Sequence, residues 1–282
     1  MLKIGIVGCG AMGQIIAQKI DEGLEQIKIA AVCDKESERA GKLASILTQS
    51  PQVMDLHSLI SVCSVVVEAT SFEAAPKIIA EALDKGRDVL ALTVGALLNK
   101  PEIFRRAKEK QAKIYIPSGA IAGLDWLKAA SLGKIRGLTL TTRKPIKGLT
   151  GAPYLKRSGI NLADAQNEVL LFEGTVEEAI EKFPANINVA ATLALATSGP
   201  EAFLSQGALG HENRWTQVKV KIVADPKLKR NTHQIKAEGE LGKITLMVEN
   251  LPSELNPRSS RLAAFSAVAL LNEIASPVRI GT

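Results

Sequence analysis

The sequence is poor in aromatic residues, cysteine and histidine. Aromatic residues make up 4% of the 282 residues, so aliphatic side chains must form most of any core. The three cysteines, Cys9, Cys33 and Cys63, are odd in number and lack metal-like spacing, which predicts reduced thiols. Because there are only three histidines, we expect no His/Cys metal site.

Long apolar runs and clusters of charge of one sign are also missing. No apolar stretch reaches the roughly 20 residues that span a bilayer, so we expect neither a transmembrane helix nor a membrane partner. The first residues lack a signal-peptide pattern, which favours a cytoplasmic protein. The net charge of +6 comes from scattered basic residues. This pattern disfavours nucleic acid and favours an anionic cofactor or small substrate as partner.

The first part of the chain repeats one simple unit. At about 150 residues per domain, the length predicts two domains. Residues 1–117 alternate short β-branched runs with segments of helical period. This alternation is typical of a parallel sheet covered by helices on both faces, which is a doubly wound α/β domain.

The second part has a different pattern. Strands of period two at 216–222, 232–238 and 243–249 place apolar residues on one face and polar residues on the other. They predict an α+β domain with a mostly antiparallel sheet that is open on one face. The predicted boundaries are 1–117 for the first domain, 118–255 for the second and 256–282 for a segment with the final helix.

The first strand is followed by glycines with the spacing G-x-G-x-x-G, at Gly8, Gly10 and Gly13. In a Rossmann-type domain the first glycine permits a tight turn, the second lets a pyrophosphate approach, and the third brings the helix close to the strand. Ala11 and Met12 open that helix, whose N-terminus would face the phosphates. The pattern predicts a site for NAD or NADP, and the alternative is a purely structural turn.

Asp34 ends the second predicted strand, about 20 residues beyond Gly13. A carboxylate there is expected to bind the adenosine ribose hydroxyls, which favours NAD. Lys35 or Arg39 would instead pair with a 2′-phosphate and favour NADP. The sequence therefore leaves both cofactors open.

Three histidines compete for the role of proton-transfer group. His57 is expected in a polar loop as a surface residue, and His211 also falls in a loop. His233 shares the apolar face of its strand with Ile235 and Ala237. That position fits either a core histidine or a catalytic one.

Two further groups of polar residues are candidates for ligand binding. Arg143 and Lys144 follow two threonines at a strand end, where an arginine fork suits a carboxylate and a solvated strand end is the alternative. Asn186 and Asn188 lie where a helix begins. Asn186 fits an N-cap, whereas Asn188 falls inside the first turn, where capping explains a polar residue less well. One of the two is a candidate to bind a carboxamide such as that of nicotinamide.

Segments beyond the glycine motif resemble the L-aspartate dehydrogenases. The similar segments are IPSGAIAGLD at 116–125, TTRKP at 141–145, FEGT at 172–175, NINVAAT at 186–192, ADP at 224–226, and Asn256-Pro257 before the last helix. The resemblance implies NAD(P)-dependent oxidation of L-aspartate to iminoaspartate, which hydrolyses to oxaloacetate and ammonia. It also implies a homodimer, a supply of iminoaspartate for NAD biosynthesis, and a last helix that returns to the cofactor domain.

The resemblance also implies roles for particular residues. His233 matches the catalytic histidine, although the segment 198–215 is longer than the family's usual link and keeps His211 as a competitor. The nicotinamide contacts match Ala122, with Ala120 as its alternative, and Asn188, with Asn186 as its alternative. We expect Ser118, Arg143 or Lys144 to bind the substrate carboxylates.

Two other functions remain open at this point. One is an imine reductase of the dihydrodipicolinate-reductase type, which has a similar two-domain organisation. The other is a redox sensor that binds NAD(H) without turnover, although the sequence shows neither a helix-turn-helix nor a basic stripe for a nucleic-acid partner.

Overall fold

The computed structural model divides the chain into two compact units. One contains Met1–Gly119 and Ala263–Gly281, and the other contains Ala120–Leu262. In the described residues, no helix is both long and apolar enough to cross a membrane. The structure describes residues 1–149, 153–163, 165–183, 187–198, 218–251, 253 and 260–281.

The first unit is built on a parallel sheet. Its strands are β1 (Leu2–Val7), β2 (Ile27–Cys33), β3 (Gln52–Val53), β4 (Val65–Glu68), β5 (Asp88–Ala91) and β6 (Ile114–Tyr115). They pair in the order β3-β2-β1-β4-β5-β6, and each described pairing is parallel. The helices are α1 (Ala11–Asp21), α2 (Ser37–Ile46), α3 (Leu56–Val62), α4 (Ala75–Asp84), α5 (Pro101–Glu109) and most of the last helix, α10 (Arg261–Ala275).

Apolar side chains cover both faces of this sheet. On one face, α1, α2 and α10 bury residues such as Ile16, Leu43 and Val268 against the strands. On the other, α3, α4 and α5 contribute Ile60, Ile79 and Ile103 to a second cluster. The finding confirms the predicted doubly wound α/β domain.

β3 and α3 were not predicted from the sequence, and the predicted loop position of His57 was wrong, because His57 lies in α3. Asp55 caps α3 by accepting a hydrogen bond of 3.0 Å from the Ser58 N–H. Leu59 and Ile60 are buried on the inner side of this short helix. His57 is largely exposed and lies 3.8 Å from Glu81, so it remains a surface residue.

The second unit contains a mixed sheet. Its strands are β7 (Ile135–Lys144), β8 (Val169–Gly174), β9 (Val218–Ala224), β10 (Asn231–Gly239) and β11 (Gly242–Asn250), in the order β11-β10-β7-β9-β8. The neighbours are antiparallel except for β7 and β9, which are parallel. The helices are α6 (Leu124–Ala130), α7 (Pro153–Ser158), α8 (Val176–Lys182) and α9 (Asn188–Ser198).

The two faces of the second sheet differ in polarity, as the alternation predicts. Leu140, Ile235 and Val220 are buried on one face. Lys219 and Lys236 are exposed on the other face, because neighbouring residues of a strand point in opposite directions. The finding confirms a second domain with a mostly antiparallel sheet, and the parallel β7–β9 pair makes that sheet mixed.

Candidate active site

The glycine turn after β1 depends on the absence of side chains. Gly8 has φ +99°, and a Cβ there would lie 2.3 Å from the carbonyl oxygen of Ala69. A Cβ on Gly13 would lie 1.9 Å from the carbonyl oxygen of Gly8. A Cβ on Gly10 meets no atom within 4 Å. The first and third glycines therefore pack the turn, while the second leaves the open space that a pyrophosphate requires.

Asp34 is fixed beside this turn by backbone amides. Its Oδ2 accepts a hydrogen bond of 2.7 Å from the Cys9 N–H, and its Oδ1 accepts one of 2.9 Å from the Glu36 N–H. Lys35 is exposed, and Arg39 is paired with Glu36 at 2.9 Å. The carboxylate thus has a defined position next to the glycine turn, as a residue that binds ribose hydroxyls requires.

The three cysteines are expected to be unreactive. All three are free, and burial raises the pKa of the Cys9 thiol to about 12 and that of Cys63 to about 11. Burial also raises the pKa of Cys33. Protonated thiols are poor nucleophiles, so we assign none of them to the chemistry.

A buried carboxylate at the end of β4 was missed in the sequence analysis. Glu68 is 0% exposed and accepts hydrogen bonds from the backbone N–H and hydroxyl groups of Thr70 and Thr93, at 2.7–3.1 Å. These bonds tie together the loops that follow β4 and β5. A charged residue that ends an otherwise apolar parallel strand was the available signal.

His233 is buried on the apolar face of β10. Its Nδ1 lies 3.0 Å from the hydroxyl oxygen of Thr142, on the neighbouring strand β7. Burial, followed by the positive charge of Lys144, lowers the pKa of His233 to about 3. The ring is therefore neutral near neutral pH, which leaves it able to accept a proton.

The structure separates Arg143 from Lys144. Lys144 is buried and shares a face of β7 with Thr142, which lies opposite His233. Arg143 points to the other face, where it contacts Glu168 at 3.2 Å and Gln234 at 3.5 Å. Of the two cations among the predicted carboxylate ligands, only Lys144 lies on the same face as the histidine.

Ala120 is held by a residue that the sequence analysis did not single out. The side-chain amide of Asn250 donates to the Ala120 carbonyl at 2.9 Å and accepts from the Ser260 hydroxyl at 2.8 Å. Ala120 is buried, whereas Ala122 two residues later is exposed. Ala120 and Ala122, two of the predicted nicotinamide contacts, therefore lie in a loop that is fixed at Ala120.

The remaining candidates are placed as follows. Ser118 is half-buried in the first unit, and His233 belongs to the second. Asn188 is the exposed first residue of α9. Asn186 and His211 lie outside the described residues.

Comparison with protein families gives two matches, which do not overlap. Residues 125–274 match the model described as "Aspartate dehydrogenase, C-terminal", and residues 8–117 match "Homoserine dehydrogenase, NAD binding domain". L-aspartate dehydrogenases of Methanosarcina barkeri and Methanosarcina mazei are 43% and 45% identical to this chain, over 100% of both sequences. The chain belongs to the L-aspartate dehydrogenase family.

Solved structures agree with this family assignment. A crystal structure of aspartate dehydrogenase from Thermotoga maritima matches with a TM-score of 0.72 and 26% identity, over 100% of both chains. A homoserine dehydrogenase from Thiobacillus denitrificans, at 15% identity, covers 97% of this chain and 73% of its own with a TM-score of 0.61, which shows a shared fold. Membership of the L-aspartate dehydrogenase family makes the protein an oxidoreductase with a pyridine nucleotide cofactor.

Proposed function

We propose that the protein oxidises L-aspartate to iminoaspartate with NAD or NADP, and that water then converts the imine to oxaloacetate and ammonia. The observation that carries this proposal is the face of the second sheet that presents a neutral His233 together with the cation of Lys144. An amino-acid oxidation needs a proton acceptor, and a dicarboxylate substrate needs a cation.

His233 is the proton acceptor in this reaction. Nε2 takes a proton from the substrate ammonium group, because only the neutral amine has a lone pair that can form a C=N bond. Bound NAD or NADP supplies the acceptor for the hydride that leaves Cα. Loss of one proton from nitrogen and one hydride from Cα leaves a protonated imine, which balances the reaction.

Lys144 binds a substrate carboxylate. Its side chain is 5% exposed, and in such surroundings an ion pair is stronger than in water. The positive charge that lowers the pKa of His233 would be offset by a bound carboxylate. Substrate binding thereby makes His233 a stronger base at the moment when a base is needed. Ser118 remains a further candidate for the second carboxylate.

The glycine turn and Asp34 hold the cofactor in this proposal. Gly8, Gly10 and Gly13, with the amides of Ala11 and Met12, bind the pyrophosphate. Asp34 binds the adenosine ribose and favours NAD, since its charge repels a 2′-phosphate.

The nicotinamide contacts are assigned to Ala122 or Ala120, and to Asn188 or Asn186, by similarity to the family. A homodimer, a cytoplasmic location and a role in supplying iminoaspartate for NAD biosynthesis also belong to the proposal. The family resemblance supports the homodimer and the biosynthetic role, and the lack of a signal-peptide pattern supports the cytoplasmic location.

A spectrophotometric screen of amino acids with NAD and with NADP tests the proposed reaction. We expect L-aspartate to produce reduced cofactor, with NAD preferred. An absence of reduced cofactor with L-aspartate would refute the proposal. Turnover of cyclic imines with NADH would favour the imine reductase, and tight NADH binding without any turnover would favour the sensor.

Replacement of the histidine tests its assigned role. In His233→Ala we expect turnover to fall by about 10²–10⁴, which is the usual contribution of proton transfer by a positioned side chain. The dissociation constant of NADH, measured by fluorescence titration, should stay unchanged because the glycine turn is intact. Turnover near that of the wild type would remove His233 from the mechanism.

A further inference from the structure

Thr142 is brought to His233 by the register of two antiparallel strands. Residue 142 of β7 pairs directly with residue 233 of β10, and both side chains point to the same face. Thr141, one residue earlier, points to the opposite face. A shift of one residue in this register would replace one threonine by the other on the histidine's side.

The contact is direct and shielded from water. The Thr142 hydroxyl oxygen lies 3.0 Å from Nδ1 of His233, and the two residues are 4% and 6% exposed. Among the described residues, Thr142 alone hydrogen-bonds to the imidazole ring. Nδ1 is therefore engaged, and no hydrogen bond from a described residue occupies Nε2.

We propose that Thr142 is a positioning residue that accepts a hydrogen bond from the protonated Nδ1 of His233 and so leaves the lone pair on Nε2. This inference rests on the proposed role of His233 as proton acceptor. A neutral imidazole carries its hydrogen on only one nitrogen, and the hydrogen bond at the other nitrogen decides which one. If Nε2 carried the hydrogen, the nitrogen to which no described residue bonds would have no lone pair with which to accept a proton.

A hydroxyl suits this task differently from a carboxylate. A carboxylate at Nδ1 would stabilise the imidazolium form, whereas the uncharged hydroxyl of Thr142 orients the ring without favouring its charged form. The ring accordingly stays neutral in the free enzyme. Its basicity is then set by burial and by the charge of Lys144 rather than by Thr142.

Nitrogen-15 NMR of the full-length protein labelled at histidine tests the tautomer directly. The chain has three histidines, so His233 can be assigned from the signals that disappear in His233→Ala. We expect a protonated Nδ1 and an unprotonated Nε2 in the wild type. In Thr142→Val, which keeps the shape but removes the hydroxyl, we expect the proton to move to Nε2 in part or fully. Thr142→Ser should restore the wild-type spectrum.

Kinetics supply the second readout. We expect kcat for L-aspartate to fall about tenfold in Thr142→Val, the size of one hydrogen bond, with the KM for NAD unchanged. Thr142→Ser should recover most of the rate. Thr141→Val is the matched control, because it makes the same chemical change on the opposite face and should leave the tautomer unchanged.

Two results would overturn the inference. One is a wild-type His233 protonated at Nε2, a measurement that decides the matter even if Thr142→Val does not fold. The other is a Thr142→Val variant with an unchanged tautomer. The proposed function fails on a different result, which is an absence of reduced cofactor when the wild type is given L-aspartate. The role of His233 as proton acceptor fails on full turnover in His233→Ala, so these failures are distinguishable from that of the tautomer.

Discussion

The two units of the protein present functional groups in different ways. In the first unit, backbone atoms predominate: the glycine turn leaves space at Gly10, and backbone amides hold Asp34 in place. In the second unit, side chains of neighbouring strands predominate. His233 contacts the hydroxyl of Thr142 and is affected by the charge of Lys144. We therefore expect the glycine turn of the first unit to be sensitive to substitutions that add a side chain. We expect the His233 cluster of the second unit to be sensitive to substitutions that remove one.

This difference determines how each site depends on the rest of the fold. The glycine turn is formed within six consecutive residues, although its close contact with Ala69 also involves the loop after β4. The His233–Thr142 pair joins residues that are far apart in the chain and meet only through strand register. Local sites are encoded by short motifs, whereas register is a property of the whole sheet.

The largest effect is expected where a side chain is added to the glycine turn. Gly8→Ala should lower the free energy of unfolding by about 2–4 kcal/mol, since it combines a left-handed conformation with a backbone clash. Gly10→Ala, the matched change in open space, should lower it by less than about 1 kcal/mol but weaken NADH binding. Urea denaturation of the two variants measures the free energy of unfolding, and NADH titration measures the affinity for the cofactor. Equal stabilities of Gly8→Ala and Gly10→Ala would show that close backbone packing does not determine which glycine is required.

An intermediate effect is expected from the two cations of β7. Lys144→Met should raise the KM for L-aspartate about 10- to 100-fold, the usual size of a charged hydrogen bond. Arg143→Met should change it less than about threefold, since a partly exposed ion pair such as that with Glu168 contributes little. Steady-state kinetics of both variants provide the comparison. A larger effect at Arg143 would place the substrate on the other face of the sheet.

The smallest effect, per pH unit, concerns the stability of the second unit in acid. The pKa of His233 is about 3 in the folded protein and about 6.5 when unfolded, so between these pH values the unfolded chain binds a proton that the folded chain does not. The free energy of unfolding should thus fall as pH falls through this window, by at most ~1.4 kcal/mol per unit.

Urea denaturation at several pH values measures this contribution. His233→Ala should show a shallower dependence on pH than the wild type. His57→Ala, which removes a largely exposed histidine, should not. Identical slopes in the wild type and His233→Ala would show that burial does not suppress protonation of His233.

Individual strands and helices differ in how well they could be predicted from the sequence. The alternation of strands and helices over residues 1–117 was predicted, because β-branched runs and helical period are strong local signals. β3 has two residues and α3 has seven, which is too short for a periodic signal. The parallel pairing of β7 with β9 was not predicted, because alternation reports the faces of a strand but not its neighbours.

The same limit applies to the candidate site. Alternation placed His233 on the apolar face, and the family resemblance singled it out as the catalytic histidine. The motif Thr141-Thr142-Arg143-Lys144 was read as one cluster, yet the pleat divides it between two faces and pairs Arg143 with Glu168. Glu68 and Asn250 were overlooked, since their importance lies in hydrogen bonds to distant loops.

The doubly wound domain, the glycine turn and the resemblance to L-aspartate dehydrogenases are all evident in the sequence, because these features depend on local propensity and on short motifs. The folded structure was needed to show which threonine meets His233, which cation lies on its face, and which amides hold Asp34. Those choices depend on the register and pairing of strands, which every residue of a sheet helps to determine. The histidines illustrate this difference. The sequence contains only three histidines as candidates for the proton acceptor, and the second sheet places one of them, His233, buried and neutral beside Thr142.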